Sequence, residues 1–256
     1  MGYDAASSGD NLKAREIELL KTFVLVHGAW HGGWCWSRTS PQIWAAGHAA
    51  VTPTMTGVGE RSHLLSTQVG LETHVEDIRK TVEYAVGEVV LVGHSYGGLI
   101  IEAVASYLAD RVTHLVFLDA LVPRDGDTLL SFFDNSAREG IESRMLETEA
   151  GQVLPPPEPI PTGWGFSKED DDWVRPRLTP HPYRTIIEPV RLGPGGALDV
   201  PRTYISCAAA KGDSLTRMAM SVKNAKDWDY YELPTGHDAM VTMPIELSKL
   251  LLEAAN

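Results

Sequence analysis

Cysteine is scarce in this chain. Cys35 and Cys207 are the only two in 256 residues, too few for a metal quartet or a disulfide framework, and the pattern fits a reducing compartment. Basic charge is short as well: 22 Lys and Arg stand against 34 Asp and Glu, a formal net charge of −12. Such a field repels phosphate backbones and anionic membrane surfaces, so neither nucleic acid nor a membrane is an expected partner. No apolar run approaches the roughly 18 residues a membrane span needs, and the first ten residues lack the apolar centre of a secretory signal. These absences leave a cytoplasmic enzyme or small-molecule binder. The 43% of hydrophobic residues suffices for one α/β domain with a single core, or at most two small ones.

Six short runs read as strands: TFVLV (22–26), AAVTPT (49–54), EVVLV (88–92), THLVFL (113–118), RTYIS (202–206) and DYYEL (229–233). Their apolar character is continuous rather than alternating, as in strands buried on both faces. Helical patterns separate them. Leu71, Val75, Ile78, Val82 and Val86 recur at spacings of three and four, residues 99–108 are apolar nearly all round, and 214–226 and 244–254 supply two more. This alternation predicts an α/β fold with a mostly parallel sheet flanked by helices on both faces. Residues 1–21 read as an N-terminal arm with one weakly amphipathic stretch. The sheet core is expected over 22–120 and 201–256.

The segment 121–200 breaks the alternation. It contains PPPEPIP (155–161), the acidic EDDD (169–172) and many apolar residues, and so predicts a helical cap inserted after the strand ending near Asp119. EDDD reads as a solvated, solubilising face.

The strongest chemical signal is VVLVGHSYGGLIIEAV (89–104). Here Gly93-His94-Ser95-Tyr96-Gly97 forms GxSxG between a buried strand and a buried helix, the setting of a nucleophile elbow. Ser95 then sits on a strained turn, and the Tyr96 amide at the helix start is a free donor for a developing oxyanion. A serine hydroxyl needs a positioned base. His237, in LPTGHDAMVTMP (233–244) between the last strand and the last helix, is the candidate. Of the other histidines, His48, His74 and His114 lie within or beside secondary structure, His31, His63 and His181 lie in loops, and His94 is the variable position of the elbow. His27 and His31 straddle a glycine-containing loop rather than a helical turn, so no metal is expected there. The loop after the first strand, VLVHGAWHGGWCW (24–36), brings the Ala29 amide as the second oxyanion donor.

HGAWHGGWCW, PQIWAAGHAAVTPTMTGVGERSHL (41–64), GHSYGG and TGHDAM resemble the α/β-hydrolase superfamily, in the branch of plant methylesterases, salicylate-binding esterases and hydroxynitrile lyases with many bacterial esterases. The resemblance runs from Thr22 onward and implies a cap in the place of the proline-rich segment and no cofactor. One departure stands out: where the plant branch carries the triad acid, this chain has Ala210. Asp119, closing its strand 24 residues after Ser95, is the preferred acid, because a strand end holds a carboxylate rigidly. Asp213 is the alternative. Asp238, adjacent to His237, is expected to point elsewhere.

The reaction implied is hydrolysis of a small to medium apolar or aryl carboxylic ester through an acyl-enzyme, with Trp30, Trp164, Phe166 and Tyr183 as candidate pocket walls. A lactonase or C–C bond hydrolase would use the same residues. A hydroxynitrile lyase fits less well, because that subgroup resembles a pattern with Thr and Lys where this chain has Ala29 and Asp238. A non-catalytic receptor is the alternative from outside enzymology. Glu60 and Arg61 read as an ion pair or loop-internal bonds, and an apolar cap or a free edge strand offers a homodimer contact.

Overall fold

Strands form where β-branched and aliphatic residues run without interruption. The computed structural model describes residues 20–194, 196–197, 199–210 and 213–255, and all of the anticipated arm except Leu20 and Lys21 lies outside them. Along the chain come β1 (Lys21–Val26), α1 (Ser40–Ala45), β2 (Ala49–Val51), α2 (Leu71–Tyr84), β3 (Glu88–His94), α3 (Gly97–Tyr107) and β4 (Val112–Leu118). There follow α4 (Asn135–Glu142), β5 (Leu146–Thr148), β6 (Gly151–Leu154), α5 (Lys168–Val174), β7 (His181–Pro182) and α6 (Arg184–Ile187). The last stretch holds β8 (Arg202–Cys207), α7 (Asp213–Lys223), β9 (Asp229–Leu233), α8 (Ala239–Thr242) and α9 (Pro244–Ala254). The main sheet has the order β2-β1-β3-β4-β8-β9, and every neighbouring pair is parallel.

Burial on both faces explains the continuous apolar strands. Val24, Val26, Val89, Leu91, Leu115 and Phe117 face one core with α2 and α3, whereas Phe23, Leu25, Val90, Val92, Val116 and Leu118 face a second with Trp36, Ile43, Leu247 and Leu251. The two sets interleave with the period of two that a strand imposes. In α2 the stripe Leu71, Val75, Ile78 and Val82 is buried, but Val86 lies beyond the helix and is 65% exposed. All of 97–106 is buried in α3, including Glu102, whose two oxygens accept from Arg202 at 2.9 Å each.

The long insertion between β4 and β8 carries α4, α5 and α6, and also a three-stranded sheet β5-β6-β7 that its short strands do not advertise in sequence. Glu169, Asp170 and Asp171 occupy the first turn of α5 behind a Ser167 capping box, where acidic side chains complement the helix dipole. EDDD is more than a solvated face: Asp170 accepts from Arg38 of the sheet domain at 2.7 Å, and Asp171 from Arg175 at 2.8 Å. None of the described helices is long and apolar enough to cross a membrane.

Candidate active site

Parallel strands leave their carboxyl ends on one edge of the sheet, where α/β folds gather ligand-contacting loops. Ser95 follows β3, Asp119 follows β4, His237 follows β9, and the loop 27–36 follows β1. Among the described residues only Trp30 (φ 64°), Ser95 (φ 54°) and Asp119 (φ 41°) are non-glycine residues with positive φ. All three belong to these strand-end loops, and strain held by surrounding structure is a mark of functional sites.

The elbow at Ser95 is stitched in place. Its amide donates to the Leu118 carbonyl at 3.2 Å, and its carbonyl accepts from Gly98 at 3.1 Å and Leu121 at 3.3 Å. Glycine is required around it: a Cβ on Gly93 would come within 2.7 Å of the Gly97 carbonyl oxygen, and one on Gly97 within 3.0 Å of the Val26 and His27 oxygens. The amides of Ala29 and Tyr96 make no hydrogen bond to described residues, whereas the Trp30 amide donates to His181 Nδ1 at 3.4 Å. Ala29 and Tyr96 therefore keep free donors beside Ser95, and all three line one cavity of about 390 Å³ with His237.

His237 Nδ1 donates to Asp119 Oδ2 at 2.6 Å, and Asp119 Oδ1 accepts from the Cys207 amide at 3.2 Å. Asp119 is thus held at both oxygens and is 2% exposed. Burial works against a charge on the His237 ring, but the Asp119 hydrogen bond and charge, with the charge of Asp238, outweigh it and raise its pKa above the ordinary histidine value. The Nδ1 bond leaves Nε2 as the basic nitrogen. The Ser95 hydroxyl itself has no hydrogen-bond partner among the described residues. The insertion braces this loop, since the His237 amide donates to the Gly163 carbonyl at 3.0 Å. A Cβ on Gly236 would lie 2.4 Å from the Trp164 carbonyl.

The other candidates divide. Trp30 and Trp164 line the cavity, as do Leu121, Leu129, Phe133 and Leu215. Phe166 instead stands edge-on against Trp164, ring centroids 5.8 Å apart, and Tyr183 is buried in the core. Both lie outside the cavity lining. Ala210 is on the wall; Asp213 opens α7, and its side chain lies outside the described part of the structure. Arg61 makes loop-internal bonds, to the Thr54 carbonyl at 3.0 Å and Thr56 Oγ1 at 2.9 Å.

The surroundings of Asp238 are set by residues distant in sequence. This residue points away from the cavity and is fully buried: its Oδ2 accepts from His31 Nε2 at 3.1 Å, and its Oδ1 lies 3.5 Å from His94 Nε2. His94 Nε2 donates to the His237 carbonyl at 3.0 Å. Burial opposes the Asp238 charge, but His31, by charge and hydrogen bond, and then His94 and His237 bring its pKa below the ordinary carboxylate range. Donor atoms of His94, His237 and Asp238 lie within 4.8 Å of one another, and protein hydrogen bonds already engage His94 Nε2 and His237 Nδ1. The signal in the sequence is histidine adjacent to glycine, in HGAWHGG, GHS and GHD.

The sequence pattern of the alpha/beta hydrolase family matches residues 23–250. The chain belongs to this family. A carbendazim hydrolyzing esterase from Nocardioides sp. (strain SG-4G) is 36% identical to this hydrolase over 241 residues, which cover 91% of this chain and 98% of that one. Methylesterase 9 of Arabidopsis thaliana is 24% identical, covering 93% and 99%. Among solved structures, an extracellular alpha/beta-hydrolase from a Paenibacillus species, described as sharing homology with tobacco salicylic acid binding protein 2, matches with a TM-score of 0.76 at 21% identity. It covers 91% of this chain and 98% of that one. The curated relatives are esterases and methylesterases, in keeping with the branch that the motifs resemble.

Proposed function

We propose that this α/β hydrolase cleaves small to medium apolar or aryl carboxylic esters with Ser95 as nucleophile, His237 as general base and acid, and Asp119 as the acid behind it. The observation that carries the reading is the 2.6 Å bond from His237 Nδ1 to Asp119 beside a cavity shared with the elbow serine. Ser95 Oγ attacks the ester carbonyl carbon as His237 Nε2 takes its proton, and the carbonyl oxygen becomes an anion facing the Ala29 and Tyr96 amides. Collapse expels the alkoxide, which receives the proton from His237. Water activated by the same nitrogen then releases the acid and restores Ser95. Asp119 fixes the tautomer and stabilises the imidazolium without itself taking the proton.

The apolar wall of Trp30, Trp164, Leu121, Leu129 and Phe133 supports the substrate class, since such linings bind apolar groups and leave orientation to a few polar ones. A hydroxynitrile lyase reading loses ground, because the residue after His237 is an aspartate turned away from the cavity and engaged by His31. The cysteines, both buried and free, fit a cytoplasmic setting. The test is a side-by-side panel of p-nitrophenyl esters, carbendazim, lactones and cyanohydrins. Aryl esters should give a p-nitrophenol burst that Ser95→Ala abolishes, and the absence of release between about pH 6 and about pH 9 would refute the esterase reading.

A further inference from the structure

We propose that Asp238, clasped between His31 and His94, is a positioning residue that locks the oxyanion-donor loop to the loop carrying the base. The proposal rests on the roles assigned above to Ser95, His237 and Ala29. Three segments far apart in sequence meet at this carboxylate. On one side His31 Nε2 donates to Asp238 Oδ2 at 3.1 Å while His31 Nδ1 donates to the Ala29 carbonyl at 2.8 Å. Both partners are acceptors, so the ring bridges the two loops through its two nitrogens.

The ring is also fixed by packing: it stacks on Trp34 at 5.3 Å between centroids and lies 5.4 Å from Trp164. On the other side, His94 Nε2 holds the His237 carbonyl at 3.0 Å and sits 3.5 Å from Asp238 Oδ1, with its ring 4.4 Å from that of His237. Neither Asp238 Oδ1 nor His94 Nδ1 makes a hydrogen bond to described residues. One buried negative charge therefore steadies, through His31, the carbonyl of Ala29, one Cα away from its donor amide, and, through His94, the His237 backbone.

The consequence belongs to the transition state. The Ala29 amide faces the substrate oxygen most strongly once that oxygen is an anion, so loosening the Ala29 backbone lowers kcat more than it raises KM. The charged or titratable groups around Asp238 are His31, His94, His237, Cys35 and Cys207, and those around His237 are Asp119, Asp238 and His94. Within that set Asp238 stabilises the His237 imidazolium, so its removal makes the base easier to deprotonate.

The experiment is steady-state p-nitrophenyl ester hydrolysis from about pH 5 to about pH 9 by the full chain and its Ser95→Ala, Asp238→Asn, His94→Leu and His94→Gln variants. Asp238→Asn should lose roughly 10²-fold in kcat with KM changed less than about threefold, and the acid limb of its kcat/KM profile should move to lower pH. His94→Leu should show a comparable kcat loss, and His94→Gln, which retains a donor in place of Nε2, should recover most of it. An Asp238→Asn enzyme with unchanged kcat and an unmoved acid limb overturns the proposal, as does a His94→Gln enzyme as impaired as His94→Leu. If Asp238→Asn does not fold, the His94 pair decides. Turnover retained by Ser95→Ala overturns instead the esterase assignment on which the proposal stands.

Discussion

Two histidine clusters sit side by side beneath the cavity, equally buried and oppositely equipped. His31, His94 and His237 gather around Asp119 and Asp238. His74 and His181 pack against Tyr96, with His27 close to both, and no carboxylate is bonded to their rings: His27 Nδ1 donates to the Gly28 carbonyl at 2.8 Å and its Nε2 accepts from Met55 at 3.1 Å. His74 Nε2 donates to the Thr56 carbonyl at 2.8 Å and its Nδ1 accepts from the Tyr96 hydroxyl at 3.0 Å. The His181 ring meets that of Tyr96 edge-on at 4.9 Å. Burial drives the pKa of His27 down to about 3 and that of His74 to about 4, and it takes His181 well below the ordinary value. His237, hydrogen-bonded to Asp119, is raised, whereas His94, whose ring has no carboxylate hydrogen bond, is held well below the ordinary value by burial. The lesson is that burial alone makes a neutral structural histidine; a base able to carry a proton in a dry site needs its own anion.

The largest effect should come from cutting that anion away. Asp119→Asn is expected to lower kcat by about 10⁴-fold, as loss of the orienting carboxylate does in such triads. The acid limb of kcat/KM should also shift downward, since His237 loses the hydrogen bond and charge that raise it. Single-turnover and steady-state rates across pH check both.

Acid stability sharpens the contrast next. Between the unfolded histidine pKa of about 6.5 and their folded values, the neutral cluster's rings bind protons only when the chain unfolds, so stability falls as pH falls. Each ring contributes a slope of about 1.4 kcal/mol per pH unit. His237 has the opposite sign: its stabilisation is full below the unfolded value and fades as pH rises through the raised folded one. Urea midpoints should drop steeply from about pH 6 to about pH 4, and His27→Gln or His74→Gln should flatten that drop.

Smaller effects test the divided pocket assignments. Trp164→Ala should raise KM for aryl esters about tenfold, within the usual 1–3 kcal/mol for lost apolar contact, whereas Phe166→Ala should change it less than about twofold. Tyr96→Phe, which removes the hydroxyl and its bond to His74, should cost about 1 kcal/mol of stability and leave kcat nearly unchanged, because the Tyr96 amide remains. A large kcat loss in Tyr96→Phe would mean that the neutral cluster takes part in turnover.

Much of this site was readable along the chain because its parts are local. The strand-turn-helix context of GHSYGG marks Ser95, the loop before α9 marks His237, and the end of THLVFLD marks Asp119. The sheet followed from uninterrupted β-branched runs. Asp238 was placed correctly as turning away, but its partners were not legible: His31, His94 and Asp238 come from three loops, and nothing local links them. Phe166 and Tyr183 are not among the residues lining the cavity, because an aromatic residue packs against other aromatics or a core as readily as against a ligand. The sheet β5-β6-β7 escaped notice because its strands, Leu146–Thr148, Gly151–Leu154 and His181–Pro182, are too short to show a period.

Intact-protein mass spectrometry after mixing with a slowly hydrolysed aryl ester tests the central claim most directly. An added mass equal to the acyl group, localised by peptide mapping to Ser95, enriched in Asp119→Asn and missing from Ser95→Ala, is the predicted result. Hydrolysis without any acyl adduct, or with an adduct that persists in Ser95→Ala, would contradict it.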